Sequence, residues 1–254
     1  NAEIMKNLMI KYMQLILLLS IGLASGCTKN LEEEPLGIIG PINFYQNDAD
    51  FDAAIVGVLR NYRGQFTGNG VSLLCGGAED ITSNQTNPEY LQYDEFKPTL
   101  NGPWAQGAWR DFYRAVNECN AIISKIGDAK LVNDANKLKI EGQARYLRAF
   151  AFFYLTRWFG EIPIITSENQ LKAVEVEQSS VTDIYEYIVT DLTFAETNLP
   201  LTFPEKGRPT KCAAKALLAE VFLTWAGWPV KDESKYALAR DKAKEVMDLN
   251  MYEL

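Results

Sequence analysis

The chain has 254 residues, of which 47% are hydrophobic, and 33 acidic residues outnumber 25 basic ones to give a net charge of −8 at pH 7. This composition is typical of a packed globular body and not of a disordered chain. The acidic balance makes nucleic acid a poor partner, because the field of the protein repels polyanions. The sequence has no histidine, which excludes Ser-His-Asp and Cys-His catalysis and most zinc sites.

The first 26 residues are typical of a lipoprotein export signal. Lys6 and Lys11 give a basic start, residues 12–26 carry no charge, and small residues lead directly into Cys27. The uncharged stretch is shorter than the roughly 20 residues of a membrane-spanning helix, which favours a cleaved signal. We expect lipidation of Cys27, and more than one acyl chain would anchor the mature protein stably. The alternative is a secretory peptide with a coincidental cysteine.

Residues 27–43 form an acidic tether that includes three consecutive glutamates at 32–34. Two interpretations have equal weight for this segment, a solvated linker and an acidic signal for export to the cell surface. The remaining cysteines, Cys75, Cys119 and Cys212, have no spacing typical of a metal or redox site. Cys119 and Cys212 fall on apolar helical faces, where a free thiol acts as a small hydrophobe. We therefore expect neither a cofactor nor a metal.

From residue 44 onward, apolar residues recur at helical spacing in one segment after another. Capping and proline signals place the starts of six helices near Asn47, Pro103, Asn133, Ser180, Thr210 and Ser234. No alternating run is long enough for a central sheet. The prediction is a mainly α fold of tetratricopeptide-like helix pairs, interrupted by an irregular, loop-rich lobe at about 64–102.

The sixth helix is predicted to have an apolar face formed by Tyr236, Ala239, Ala243, Val246 and Met247. No further helix follows it in the sequence to cover this face, whereas solenoids usually end in a polar cap. Four residues also precede Met5. We expect the chain to be a piece of a longer reading frame, truncated at its carboxyl end.

Several sequence blocks, in this order, resemble the SusD/RagB family of outer-membrane nutrient-binding lipoproteins. The blocks are EGQARYLRA at 141–149, YLTRWFG at 154–160, GRPTK at 207–211, AAKALLA at 213–219 and LTWAGWP at 223–229. Their apolar positions have helical spacing, so Leu147, Ala151, Tyr154 and Trp158 are predicted core residues. Arg148 and Arg157 are predicted to bridge helices, and Trp228, which lies between two predicted helices, is predicted to be a packing residue.

The resemblance implies a tetratricopeptide scaffold with a loop-rich lobe that carries much of the ligand site. It also implies a lipid-anchored protein of the outer membrane that faces the cell exterior. Such proteins bind oligosaccharides, or peptides in some members, and deliver them to a SusC-like TonB-dependent transporter. The implied domains are a signal peptide at 1–26, the tether at 27–43 and an incomplete SusD-like domain at 44–254.

Saccharide binding needs a flat aromatic ring that stacks on the sugar, and polar groups that pair with its hydroxyls. The segment 80–103 and the residue that follows it combine these types. The candidate substrate-binding residues are Asn84, Gln85, Asn87, Tyr90, Tyr93 and Trp104. The alternative is that the polar residues form turns and that Tyr93, Phe96 and Trp104 pack the lobe.

Three rival functions use the same features. A glycoside hydrolase would need two carboxylates, and Glu79 and Asp80 are the adjacent pair that could be considered. Adjacent acids on a loop are more often solvated, so we expect no enzymatic activity. A helical-repeat scaffold that binds only proteins is a second rival, and peptide or glycopeptide cargo is the closest alternative to glycan.

Overall fold

A computed structural model describes residues 2–24, 44–67, 88–97, 99, 102–130 and 132–251. The chain divides into two compact units, Asn1–Phe44 and Tyr45–Leu254. Cys27, the acidic tether, Cys75 and the Glu79-Asp80 pair lie outside the described residues. The described part of the first unit contains one helix, α1 (Ala2–Ala24). Among the helices in the described ranges, none combines the length and the hydropathy needed to cross a membrane.

The second unit is helical. Its helices are α2 (Asp48–Arg63), α3 (Pro88–Asp94), α4 (Pro103–Ile126), α5 (Asp134–Phe159), α6 (Val181–Asn198), α7 (Lys211–Ala226) and α8 (Lys235–Met247), with a 3₁₀ helix at Gln170–Glu175. From α4 to α8, each helix packs on the next one in the chain, and α2 packs on both α4 and α5. This sequential stacking is the arrangement of tetratricopeptide-like repeats, and it confirms the predicted fold class.

Side-chain caps fix four of the six predicted helix starts. Asn47 accepts hydrogen bonds from the backbone N–H groups of Ala49 and Asp50, within a complete capping box. Three more caps work in the same way, at Asn133, Ser180 and Thr210. Each satisfies an N–H that has no partner inside the helix and contributes about 1 kcal/mol.

The core lies between α2, α4, α5, α6 and α7. The predicted positions Leu147 and Ala151 are buried, while Tyr154 and Trp158 pack partly buried at its margin. Cys119 and Cys212 are free and buried, as predicted. The central apolar side chains include Phe51, Ile55, Phe112, Val116, Phe152, Leu155, Ile184, Ile188, Leu192, Leu218 and Val221.

Two glycines of α5 are required by their surroundings. A side chain at Gly142 would place its Cβ 3.2 Å from Leu199 Cδ2, so glycine lets the end of α6 approach α5 closely. Gly160 ends α5 with φ of 77°, a conformation that glycine adopts without steric cost. Its N–H donates to the carbonyl of Thr156.

The two predicted arginine bridges are present. Arg148 of α5 donates to Asp191 of α6 through Nε and Nη2, both at 2.8 Å. Arg157 lies 3.3 Å from Glu220 of α7. Both bridges connect α5 to a helix later in the chain, which agrees with a structural and not a ligand-binding role.

The predicted apolar face of α8 is largely uncovered, in agreement with the sequence pattern. Ala239 is buried, whereas Tyr236 and Met247 are 49% and 72% exposed. Trp228 was predicted to pack between helices, but it is 76% exposed, with the Lys231 ammonium 4.5 Å from its ring centre. In both cases the sequence pattern marks an apolar residue correctly, but no neighbouring element covers it.

Candidate functional site

The sequence-predicted site residues fall into two groups. Asn84, Gln85 and Asn87 lie outside the described residues, as does the side chain of Tyr90 in α3. Tyr93 of α3 and Trp104 of α4 are described and lie together, with ring centres 5.3 Å apart and planes at 78°. The structure therefore brings two of the six candidates into contact.

Tyr93 and Trp104 attach the segment before α4 to the helical scaffold. The ring of Trp104 lies 5.2 Å from that of Trp158 in α5, and Trp158 in turn contacts Phe112 at 5.2 Å. Edge-to-face aromatic contacts of this kind contribute about 0.5–1.5 kcal/mol beyond the burial of area. Both residues remain partly exposed. Their main contribution in this structure is packing, which agrees with the alternative interpretation for these two residues.

Phe96, in contrast, does not pack. Its side chain is 78% exposed, and its φ of 56° is in the left-handed region, uncommon for a bulky residue. The surrounding turn is held by Gln92, whose side-chain oxygen accepts from the backbone N–H of Thr99 at 3.3 Å and from its hydroxyl at 3.0 Å. The interpretation of Phe96 as a packing residue is wrong, and this ring is available to a ligand.

A second aromatic surface lies on α4, in a cleft of about 620 Å³. We call it the α4 cleft. Trp109 and Tyr113 are one helical turn apart, with ring centres 4.7 Å apart and planes at 44°. Trp109 is supported from behind by Phe159, at 5.1 Å. The lining residues are Tyr45, Trp109, Arg110, Tyr113, Arg114, Asn117, Glu118 and Ala121.

Some polar groups of the α4 cleft are fixed and others are free. The Tyr113 hydroxyl donates to the carbonyl of Pro163 at 2.8 Å, and burial raises the pKa of Tyr113, so the hydroxyl stays protonated. Glu118 accepts from Asn61 at 2.7 Å. Within the described residues, neither the guanidinium of Arg114 nor the side-chain amide of Asn117 has a hydrogen-bond or ion-pair partner. The cleft therefore offers unused donors beside two aromatic rings.

The α4 cleft continues into a neighbouring cleft of about 520 Å³. Arg114 and Glu118 line both, and Arg60, Asn61 and Asp111 line the second one. Asp111 is engaged by the Nε of Arg110 at 2.9 Å. Since Arg114 and Glu118 are shared, the two clefts are neighbours on the same face of α4.

The sequence pattern does not reveal the α4 cleft, because Trp109 and Tyr113 follow the same apolar spacing as the buried residues of the helix. Both lie at the edge of the apolar face that these residues form and are partly exposed. The available signal was the polar set at 110, 114 and 117, which flanks the two aromatics at helical spacing. No group of three or more potential metal ligands exists among the described residues.

Stacked helix pairs define a helical-repeat protein, and aromatic side chains line an open cleft on its surface. Comparison with known proteins gives the family. A SusD-like family described as "Starch-binding associating with outer membrane" matches residues 78–223, which is more than half of the chain. The chain belongs to the SusD-like family, and the predicted resemblance is confirmed.

Similar proteins agree with this membership. A SusD-like protein of Bacteroides ovatus is 31% identical over 226 residues, covering 86% of this chain and 40% of that protein. SusD-like protein P2 of Formosa agariphila is 34% identical over 208 residues, covering 78% of this chain and 40% of that protein. The chain thus spans about 40% of the length of these relatives.

Solved structures share the fold. A SusD homologue from Bacteroides thetaiotaomicron is 26% identical with a TM-score of 0.73, covering 87% of this chain and 44% of that one. A protein crystallised with a xylogluco-oligosaccharide is 30% identical with a TM-score of 0.61, covering 83% and 40%. A laminarin-binding SusD-like protein is 25% identical with a TM-score of 0.66, covering 77% and 43%.

Proposed function

We propose that this chain binds oligosaccharides and belongs to a surface-exposed lipoprotein of the outer membrane. The observation that carries the proposal is the α4 cleft, where Trp109 and Tyr113 lie beside the free donors of Arg114 and Asn117. An aromatic face covers the apolar side of a sugar ring, and the adjacent donors pair with its hydroxyls. Of two structurally similar proteins, one was crystallised with a xylogluco-oligosaccharide and the other is a laminarin-binding SusD-like protein, which supports a glycan as the ligand class.

The segment before α4 is proposed to add contacts to the same function. Phe96 offers an exposed ring, and the predicted residues Asn84, Gln85, Asn87 and Tyr90 precede it in sequence. Tyr93 and Trp104 hold this segment against α5 through Trp158. Their proposed role is to position the loop, in addition to any direct contact with the sugar.

The amino-terminal segments are proposed to place this binding surface outside the cell. Residues 1–26 would be removed as an export signal, Cys27 would be lipidated, and residues 27–43 would act as the tether of a SusD-like domain at 44–254. The family description, association with the outer membrane, supports this location. In this proposal the bound oligosaccharide is handed to a SusC-like TonB-dependent transporter by equilibrium binding, with no chemical step and no cofactor.

Peptide cargo is the alternative function. The free Arg114 and Asn117 groups could pair with a peptide backbone as well as with a sugar. The xylogluco-oligosaccharide and laminarin of the two similar proteins favour glycan, and peptide binding is an outcome that the same experiment can reveal.

Calorimetric titration of the full chain tests the proposal. Xylogluco-oligosaccharides and laminari-oligosaccharides are the probes, beside a panel of short peptides. We expect saccharide binding that Arg114→Ala and Asn117→Ala each weaken about tenfold, because each removes a hydrogen bond to the ligand. Lys125→Ala, on the same helix but outside both clefts, is the matched control. Equal affinity in all four proteins would remove the α4 cleft from the site.

A further inference from the structure

A third pocket lies between α2, α5 and the connection from α6 to α7, and its volume is about 540 Å³. We call it the Arg208 pocket. It has no lining residue in common with the α4 cleft. Its principal polar lining is Asp48, Asp52, Asn136, Lys139, Gln143, Glu205 and Arg208, and Ile55, Ile140 and Phe203 add apolar surface.

Two buried polar atoms at this pocket have no partner. The side chain of Arg208 is 8% exposed, and its Nη2 lies 2.6 Å from Asp52 Oδ1, but its Nη1 makes no hydrogen bond. Gln143 is 4% exposed, and its Oε1 accepts no hydrogen bond. Neither atom has appreciable accessible surface, so a ligand in the pocket reaches them only when the two side chains turn toward it. Once turned, they offer one donor and one acceptor that the ligand can satisfy.

The other polar groups of the pocket are engaged with one another. Lys139 Nζ donates to Asn136 Oδ1 at 2.9 Å, and Asn136 Nδ2 donates to Asp48 Oδ1 at 2.9 Å. This chain of hydrogen bonds connects α5 to α2 and fixes the wall of the pocket.

The charges of the pocket argue against an anionic ligand. Three carboxylates, Asp48, Asp52 and Glu205, face two cations, Lys139 and Arg208. The guanidinium of Arg208 is already neutralised by Asp52. A carboxylate or sulfate would meet net repulsion, whereas a neutral polar group would not.

We propose that the Arg208 pocket binds a neutral polyhydroxylated ligand, a saccharide unit, through Arg208 Nη1 and Gln143 Oε1. A hydroxyl is both donor and acceptor, so hydroxyls of one sugar can accept from Arg208 and donate to Gln143. Phe203 supplies a partly exposed ring beside them. A volume of about 540 Å³ is within the usual range of about 300–1,000 Å³ for small-molecule sites. This site is separate from the α4 cleft, and its occupancy does not depend on the function proposed there.

Nuclear magnetic resonance titration of the full wild-type chain tests this site. Variants are needed only to assign the signals. Gln143→Leu and Arg208→Lys identify the side-chain amide signal of Gln143 and the Nε signal of Arg208 by their loss. Maltotriose, cellotriose and laminaritriose are the probes, with trialanine as the amide probe. We expect a trisaccharide to shift both side-chain signals in a saturable manner.

Two variants measure how much the unpaired atoms of Gln143 and Arg208 contribute to the affinity for the trisaccharide. Gln143→Leu removes the unsatisfied acceptor without lowering the melting temperature, and it should weaken trisaccharide binding at this pocket at least tenfold. Arg208→Lys keeps a cation beside Asp52 but removes the Nη1 donor of the guanidinium, and it should weaken trisaccharide binding to a similar extent. The control is Lys206→Ala, an exposed cation two residues away that does not line the pocket.

Three results would overturn the proposal. The first is a titration in which no trisaccharide moves either signal, which would leave buried water as the partner of both atoms. The second is trisaccharide affinity that Gln143→Leu and Arg208→Lys leave unchanged. The third is a shift produced by trialanine alone, which would make the pocket a peptide site. Because none of these variants touches the α4 cleft, each result is independent of binding there.

Discussion

At the scale of single residues, the fold can bury the charge of Arg148 because all three nitrogens of its guanidinium donate hydrogen bonds. Two arms reach Asp191, and Nη1 donates to Asn120 Oδ1 at 2.7 Å. Burial lowers the pKa of Arg148, but the hydrogen bonds and the negative charge of Asp191 outweigh this effect and raise it overall. The side chain of Asp191 is 1% exposed, so water cannot replace it.

Asp191→Asn is therefore expected to lower the free energy of unfolding by about 3 kcal/mol, since removing one partner leaves a buried charge unpaired. Urea denaturation measures this difference. Asp248→Asn is the matched control, because its ion pair with Lys244 is more than half exposed and should contribute less than about 1 kcal/mol. Similar losses in the two variants would contradict the structural role of the Arg148–Asp191 pair.

Phe96 and Tyr93 provide a second residue-scale test, because one ring is exposed and the other packs on Trp104. Phe96→Ala should leave the melting temperature unchanged and weaken oligosaccharide binding several-fold. Tyr93→Ala should lower the melting temperature, since it removes an aromatic contact of about 1 kcal/mol. Calorimetric titration and thermal denaturation of both variants distinguish the roles. If Phe96→Ala binds as the wild type does, this ring is not part of the ligand surface.

At the scale of helices, a cluster of charges fastens α6, α7 and α8 to one another. Lys215 of α7 pairs with Glu196 of α6 at 2.7 Å and also contacts Glu245 of α8. Lys242 of α8 pairs with Glu196 at 2.8 Å. Burial raises the pKa of Glu196, but the hydrogen bonds from Lys215 and Lys242 lower it by more. The pKa of Glu196 is therefore below its ordinary value of 4.5.

This pKa shift predicts the pH dependence of stability. A carboxylate with a lowered pKa in the folded state stabilises the fold above about pH 4.5 and loses that contribution as the pH falls through its folded-state pKa. At pH 6, Glu196→Gln should be less stable than the wild type by about 1 kcal/mol. The difference should shrink toward zero near pH 3 in chemical denaturation. Glu177→Gln, an exposed residue, is the control, and a difference that is constant with pH would contradict the cluster's role.

Six helices of the second unit were predictable from sequence because their signals are local, whereas α3 (Pro88–Asp94) lies within the segment predicted to be a loop-rich lobe. Asn47, Asn133, Ser180 and Thr210 each cap the helix that the pattern assigned to them. The exposure of Trp228 was not predictable, because periodicity marks which residues could be buried and not whether a neighbour covers them. The same limit applies to Trp109 and Tyr113. They lie on the same apolar face of α4 as buried residues such as Phe112, but they line the wall of a cleft.

The Arg208 pocket shows a further limit of sequence analysis. Gln143 and Arg208 both occur in the blocks that resemble the family, yet 64 positions separate them in the sequence. Their convergence depends on the packing of α5 beside the connection from α6 to α7, which no local pattern specifies. The unpaired state of Nη1 and Oε1 is likewise a property of the assembled pocket.

At the scale of the whole molecule, the proposed anchor determines where the binding surface works. Cys27→Ala should prevent lipidation, so the full chain expressed in its bacterial context should no longer remain with membranes after carbonate washing. Cys119→Ala is the matched control, because this buried thiol has its pKa raised by burial and has no role in the anchor. Membrane retention by Cys27→Ala would show that lipidation of this residue is not the anchor.

The most direct test of the central proposal is a crystal structure of the chain with a bound laminari- or xylogluco-oligosaccharide. The proposal predicts a sugar ring stacked on Trp109 or Tyr113, with hydroxyls within hydrogen-bonding distance of Arg114 and Asn117. A second sugar in the Arg208 pocket would agree with the further inference without replacing this result. An oligosaccharide bound elsewhere, with the α4 cleft empty, would contradict the proposed site.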